Sequence, residues 1–213
     1  MKTKAVLLDM DGLMFDTERL SDEVWLSLAE RDNLGMVSAD MLLLRGKNRE
    51  AGKEAFLRRF GENFPFDDYC DEALAEITAR LSKKVPLRPG LFELLDTLKT
   101  NHIPAAVASS THRSLVESNL RVAGVLDFIK VIATGDEVAH SKPAPDIFLL
   151  AAKRLGVAPE ECMVLEDSYN GVRAGAASGA RTIMVPDMDM PTPETEQLAD
   201  AIVPTLADVI PLL

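Results

Sequence analysis

Two carboxylates spaced two residues apart follow a short apolar run near the start of the chain: Lys4-Ala-Val-Leu-Leu8, then Asp9-Met10-Asp11-Gly12. In an extended segment, residues two apart project to the same side. Asp9 and Asp11 are therefore aimed at one spot, and Gly12 lets the backbone turn sharply behind them. One carboxylate can attack phosphorus while the other moves a proton. Three more segments bear on the same chemistry. Glu166-Asp167, adjacent acids after the apolar run 162–165, suit a hard cation, because Mg²⁺ takes carboxylate oxygens, waters and substrate phosphate. Ser109 and Ser110 follow Val107-Ala108 at the start of a predicted helix, where a hydroxyl and backbone amides can hold phosphoryl oxygens. Lys142, in Ser141-Lys-Pro-Ala-Pro-Asp146, is a fixed positive charge mounted among prolines. Each piece alone also fits a bland role: a solvated turn, an acidic helix cap, a capping serine, a surface lysine. Together they supply a nucleophile, an acid/base, a cation site, a phosphate hydroxyl and a lysine. That is a full set for phosphoryl transfer, which depends mainly on positioning and charge neutralisation.

The elements that must position these residues can be read from periodicity and punctuation. Residues 4–8 form a buried strand that stops at a loop. Residues 17–85 contain only helical patterns. Leu20, Val24, Trp25, Leu28 and Ala29 make one apolar stripe on a helix over 17–32. Gly35 ends it, Ser38 is expected to cap a short helix through Leu44, and Gly46 to end that. Helices are predicted at 49–60 and 67–83, with Gly61, Pro65 and Pro86 as punctuation. After Pro89-Gly90, helices (91–100, 111–123, 144–155, 170–178) alternate with short apolar runs (103–108, 129–133, 162–165, 182–185). This alternation is the signature of a parallel sheet with helices on both faces. The reading is therefore an α/β core with an all-helical module inserted after its first strand, and a surface loop over 186–193. Ligands bind such sheets at the carboxyl ends of the strands. The residues found there are Asp9 and Asp11, Ser109 and Ser110, Glu166 and Asp167, with Lys142 in the loop after the third run. All the candidate chemistry falls on one rim.

With 213 residues, the chain can form one large α/β domain or a core plus a small module. Its 23 Lys and Arg against 34 Asp and Glu give a net charge of −11, which repels nucleic acid and anionic lipid. A small anionic ligand remains compatible where the site brings its own cation. Cys70 and Cys162 are in no metal or redox spacing and read as reduced thiols. The apolar run between Lys4 and Asp9 has only four residues, and no run approaches transmembrane length; the expected location is cytoplasmic. The three histidines, His102, His112 and His140, show no ligand spacing, and Trp25 reads as core.

The ordered segments resemble the haloacid dehalogenase superfamily, in the branch holding β-phosphoglucomutases and phosphoglycolate, hexitol and deoxyhexose phosphatases. They are Asp9-Met-Asp-Gly-Leu-Met-Phe-Asp-Thr-Glu18, Val107-Ala-Ser-Ser110, Lys142-Pro-Ala-Pro-Asp-Ile-Phe148, and Leu165-Glu-Asp-Ser-Tyr-Asn-Gly-Val-Arg-Ala-Gly-Ala-Ala-Ser-Gly179. The resemblance covers nearly the whole chain. It implies a Rossmann-like three-layer core (1–15 and 87–213) and a helical cap (16–86). It implies Asp9 as the nucleophile that becomes an aspartyl-phosphate, Asp11 as general acid/base, and Ser109, Ser110 and Lys142 as phosphate ligands. It implies Mg²⁺ held by Asp9, the Asp11 carbonyl and Asp167, with Glu166 close by. In the family a cap loop closes over the site; here it carries Arg45, Lys47 and Arg49, candidate contacts to the substrate.

The expected activity is hydrolysis of a small phosphate monoester, a sugar or polyol phosphate, by a monomer or weak homo-oligomer. A phosphohexomutase is the alternative. An ungapped match of Asp16-Thr17 and Trp25 puts Ser21 where the mutases carry a histidine, which favours the hydrolase. A dehalogenase would not need Asp11, and a non-catalytic binding module would lack Asp9 or the acidic pair.

Overall fold

A computed structural model describes residues 3–44 and 49–213. The chain divides into two compact units, Met1–Asp16 with Lys84–Leu213, and Thr17–Lys83. The second unit consists of helices α1 (Thr17–Arg31), α2 (Arg49–Phe60) and α3 (Phe66–Leu81), with a 3₁₀ turn at Ser38–Leu43. The apolar stripe on α1 is its buried face: Val24, Trp25, Leu28 and Ala29 point inward. They meet Phe56, Phe64, Phe66 and Tyr69 in one cluster. Phe56 is its centre, fully buried, with the rings of Trp25, Phe60, Phe64 and Phe66 at 5.3 to 5.7 Å. Such tilted contacts add to the area each ring buries. The short helix expected behind a Ser38 cap is instead a 3₁₀ turn whose N-cap is Val37. The cause is Asp40, whose carboxylate accepts the Val37 N–H at 2.9 Å and the Arg59 Nε–H at 2.8 Å. Ser38 is merely the turn's first residue. Gly46, the expected terminator, lies outside the described residues.

The first unit is a six-stranded, wholly parallel sheet: β1 (Ala5–Leu8), β2 (Ala105–Ser109), β3 (Ile129–Thr134), β4 (Cys162–Glu166), β5 (Arg181–Met184) and β6 (Ala201–Ile202). The spatial order is β3-β2-β1-β4-β5-β6. Strands β1, β2 and β4 are buried at every residue, as strands covered on both faces must be. Helices α4 (Leu91–Thr100), α5 (Arg113–Val122), α6 (Asp146–Leu155), α7 (Tyr169–Ser178) and α8 (Pro193–Leu198) complete the unit. Helix α6 packs on β1, β2 and β3, and α7 on β4 and β5. Ile147, Phe148, Ala151 and Ala152 of α6 share one core with Ala5, Leu7, Ala106, Ala108 and Val164 of the sheet. The close approach of α7 needs Gly175, where a Cβ would stand 2.7 Å from the Thr182 hydroxyl.

The predicted elements are present with shifted ends. Strand β2 starts at Ala105, because Pro104 has no N–H to give a ladder. Helix α5 starts at Arg113, since His112 is its N-cap and accepts the Ser114 N–H through Nδ1. Helix α8 and strand β6 were not read from the sequence. Thr192 caps α8, so the predicted 186–193 loop runs into that helix at Pro193.

The aromatic cluster predicts that Phe56→Ala removes about 3–5 kcal/mol of unfolding free energy, the usual cost of emptying a buried aromatic site. Urea denaturation with hydrogen exchange checks this, and protection should fall first within 17–83. A loss under about 1 kcal/mol would show that the cluster collapses onto the gap.

Candidate active site

In this strand order the chain reverses direction across the sheet between β1 and β4, the position where doubly wound sheets bind ligands. Leu8 pairs with Leu165, and the Asp9 N–H donates to the Leu165 carbonyl at 3.1 Å. Asp9 therefore stands beside Glu166 and Asp167. On its other flank Leu8 pairs with Val107, which brings Ser109 to the same rim.

Lys142 is the hub. Its ammonium donates to Asp9 Oδ1, to Glu166 Oε1 at 2.6 Å and to the Ala108 carbonyl at 3.1 Å. A lysine has three N–H donors, and these acceptors use all of them. The side chain is 8% exposed and lies 5.0 Å from the Phe148 ring centroid. Glu166 is wholly enclosed. Its Oε2 accepts the backbone N–H groups of Asp167 and Ser168 at 3.0 and 3.1 Å and the Ser168 hydroxyl at 3.1 Å. Two glycines make room. A Cβ on Gly171 would fall 1.8 Å from the Glu166 carboxylate, and one on Gly12, whose φ is +84°, would fall 2.1 Å from Asp167 Oδ2.

Asp11 is half-buried. Its Oδ2 accepts the Thr111 hydroxyl at 2.8 Å and the Ser109 hydroxyl at 3.4 Å. The Thr111 N–H in turn donates to Ser109 Oγ at 3.1 Å. Ser110 is exposed on the rim, its backbone carbonyl set against Gly135.

Burial pushes the Asp9 carboxyl well above the usual carboxylate range, and the Lys142 charge works against that displacement. Burial likewise opposes the Lys142 ammonium, but Asp9 and Glu166 outweigh it and raise the lysine's pKa. Asp9, Glu166 and Asp167 each present a carboxylate oxygen within 4.8 Å of the others. Buried carboxylates crowded at one spot, with oxygen donors only, fit a hard divalent cation.

The structure thus brings Asp9, Asp11, Ser109, Lys142, Glu166 and Asp167 together on one rim. Of the basic cap cluster, Arg45 and Lys47 lie outside the described residues. Arg49 opens α2, and its guanidinium holds Asp71 at 2.7 Å and Asp67 at 3.2 Å. His140 lies in the loop before α6, its Nδ1 3.0 Å from the Asp146 carboxylate. Two residues escaped the sequence reading: Thr111, which grips Asp11, and Ser168, which grips Glu166. Thr111 was findable as a second hydroxyl two residues past Ser109 in the turn before α5.

These features define a doubly wound α/β protein with an acidic, lysine-braced centre at its strand ends. The chain belongs to the haloacid dehalogenase-like hydrolase family, whose model matches residues 3–179. It is 30% identical to hexitol phosphatase A of Escherichia coli, over 87% of this chain and 84% of that one. It is 31% identical to the bifunctional riboflavin kinase/FMN phosphatase of Arabidopsis thaliana over 97% of this chain, but it spans only 54% of that longer protein. CbbY from Rhodobacter sphaeroides, crystallised with xylulose-(1,5)bisphosphate, superposes with a TM-score of 0.79 at 29% identity, covering 97% of this chain and 96% of that one. The protein is a phosphoric monoester hydrolase, a phosphatase of small phosphorylated substrates. Among the described residues, no helix is long and apolar enough to cross a membrane.

The displaced Asp9 titration has a consequence for stability. With a raised folded-state pKa, the folded protein keeps a proton that the unfolded chain has already released. That contribution is present below about pH 3.9 and is lost as pH rises through the folded value, at ~1.4 kcal/mol per unit of displacement. In EDTA, Asp9→Asn should therefore be more stable than the natural chain at about pH 7.5 and lose that advantage toward about pH 4. Paired urea titrations measure the difference, and a natural chain at least as stable as the variant throughout would contradict it.

Proposed function

We propose that this phosphatase acts on a small sugar or polyol phosphate through an aspartyl-phosphate at Asp9. The observation that carries the reading is the environment of Asp9: a buried carboxylate at the end of β1, held through one oxygen by Lys142 and flanked by Glu166 and Asp167. A carboxylate oxygen of Asp9 bonds to phosphorus as the bond from phosphorus to the leaving oxygen breaks. Asp11 gives its proton to that oxygen, so the sugar or polyol departs as a neutral alcohol. Asp11, now ionised, takes a proton from water as the water oxygen bonds to phosphorus. The bond from phosphorus to Asp9 breaks, inorganic phosphate leaves, and the Asp9 carboxylate returns.

Ser109 and Ser110 hold phosphoryl oxygens, and Lys142 keeps Asp9 and the phosphate from repelling each other. Unit charges ~4 Å apart interact by about 4 kcal/mol at an effective dielectric near 20, enough to decide whether a dianion approaches a carboxylate. Mg²⁺, held by Asp9, Asp167 and the Asp11 carbonyl with Glu166 behind them, would neutralise phosphoryl charge when bound. Arg45, Lys47 and Arg49 remain the proposed contacts to the substrate's leaving group; the Asp67 and Asp71 pairs of Arg49 would have to be exchanged for it to serve.

The direct test is turnover of a panel of hexose, pentose, polyol and glycolate phosphates. EDTA-stripped protein should be inactive, Mg²⁺ should restore it, and excess Ca²⁺ should suppress it, since calcium takes more ligands at longer distances. Asp9→Asn should lose at least about 10³-fold in kcat. Activity of that variant within tenfold of the natural chain, or full activity after stripping with no metal by elemental analysis, would overturn the reading.

Hydrolysis is preferred over mutase chemistry because Ser21, at the position of the mutase histidine, is too short to reach as an imidazole would and cannot become cationic near neutral pH. It is half-buried on α1 rather than exposed as a simple surface position would be. Incubation with β-glucose 1-phosphate and a trace of the 1,6-bisphosphate should release phosphate. Accumulation of glucose 6-phosphate with little free phosphate would reverse the assignment.

A further inference from the structure

We propose that Thr111 is the positioning residue for the acid/base carboxyl: its hydroxyl holds Asp11 Oδ2 and so keeps the transferable proton on Oδ1. The inference rests on Asp11 acting as proposed above and adds the device that aims it.

Two hydroxyls reach Asp11 Oδ2, Thr111 at 2.8 Å and Ser109 at 3.4 Å. They are not equivalent. A serine hydroxyl carries one proton. Ser109 Oγ already accepts the Thr111 N–H, so its proton is the one thing it has left to give. Once that proton goes to a phosphoryl oxygen, it is lost to Asp11. Thr111 makes the shorter bond and is the donor that persists through substrate binding.

The chemical effect follows from which oxygen the hydroxyl engages. A hydroxyl that donates to Oδ2 occupies that oxygen as an acceptor whether the carboxyl is ionised or not. A proton carried by Asp11 is thereby steered to Oδ1, and the carboxyl cannot rotate without breaking the bond. General acid catalysis needs the proton within hydrogen-bond reach of the leaving oxygen in a defined geometry, and small misplacements are costly. The backbone of the same residue fixes Ser109, so one turn between β2 and α5 orders both the phosphate hydroxyl and the acid.

Thr111→Val exchanges only the hydroxyl for a methyl and keeps the backbone N–H to Ser109; Thr111→Ser keeps the hydroxyl. The readout is kcat/KM with Mg²⁺ for two esters: phenyl phosphate, whose leaving oxygen needs a proton, and p-nitrophenyl phosphate, which leaves without one. Thr111→Val should lose about tenfold on phenyl phosphate, part of the 10²–10⁴ that acid–base catalysis supplies, and under about threefold on p-nitrophenyl phosphate. Thr111→Ser should restore most of the loss. Equal losses on both esters, or none, alongside a leaving-group split in Asp11→Asn, would overturn the role of Thr111 alone. Absence of that split in Asp11→Asn would overturn the acid assignment beneath it.

Discussion

One buried ammonium organises this site. Lys142 binds the carboxylate after β1, the carbonyl near the end of β2 and the carboxylate at the end of β4, so three neighbouring strands are fastened at their carboxyl ends by a single side chain. Buried ion pairs are poor stabilisers, because desolvation consumes much of the Coulombic gain, yet drawing the charges apart while both remain buried is expensive. The arrangement therefore adds little net stability but makes every displaced geometry unfavourable. Asp9 is held where its charge is least welcome, and the raised pKa of its carboxyl records that.

Around this knot the chain makes space by omission. Gly171 and Gly12 stand where any side chain would strike the carboxylates of Glu166 and Asp167. Glu166 fills its seat so completely that the turn 166–168 wraps one of its oxygens with two amides and a hydroxyl. The acidic pair thus divides: Glu166 is an internal strut between Lys142 and that turn, and Asp167 faces Asp9 across the cluster.

Much of this was legible in the sequence because the sheet is buried on both faces. Continuous apolar runs mark such strands, and polar residues immediately beyond them mark the rim; Asp9, Ser109, Glu166 and Asp167 were found that way. The legibility failed where the signal was weak or non-local. Strand β6 has two residues, too few for any pattern. The turn at Ser38 obeys Asp40 and Arg59, a pairing across 19 residues that no local rule contains. Thr111 lies two residues beyond the end of its apolar run, and its partner Asp11 is 100 residues earlier in the chain, so no local pattern joins them.

The position of β1 also fixes an order of assembly. It is the first strand made, yet it lies between β2 and β4, and its Asp9 meets Lys142 across 133 residues. On a ribosome, β1 waits unpaired while the whole of Thr17–Lys83 is synthesised, and one side of it stays open until Cys162–Glu166 emerges. Closing so long a loop early is entropically costly and kinetically slow. The helical insert, whose aromatic cluster is built from its own residues, can form in the meantime. The nascent chain therefore carries an apolar strand with at least one open edge until β4 emerges, a period in which unpaired edges are prone to associate wrongly. The shortness of β1, four residues bounded by Lys4 and Asp9, limits that exposure, since a flanking charge on each side discourages pairing with another chain.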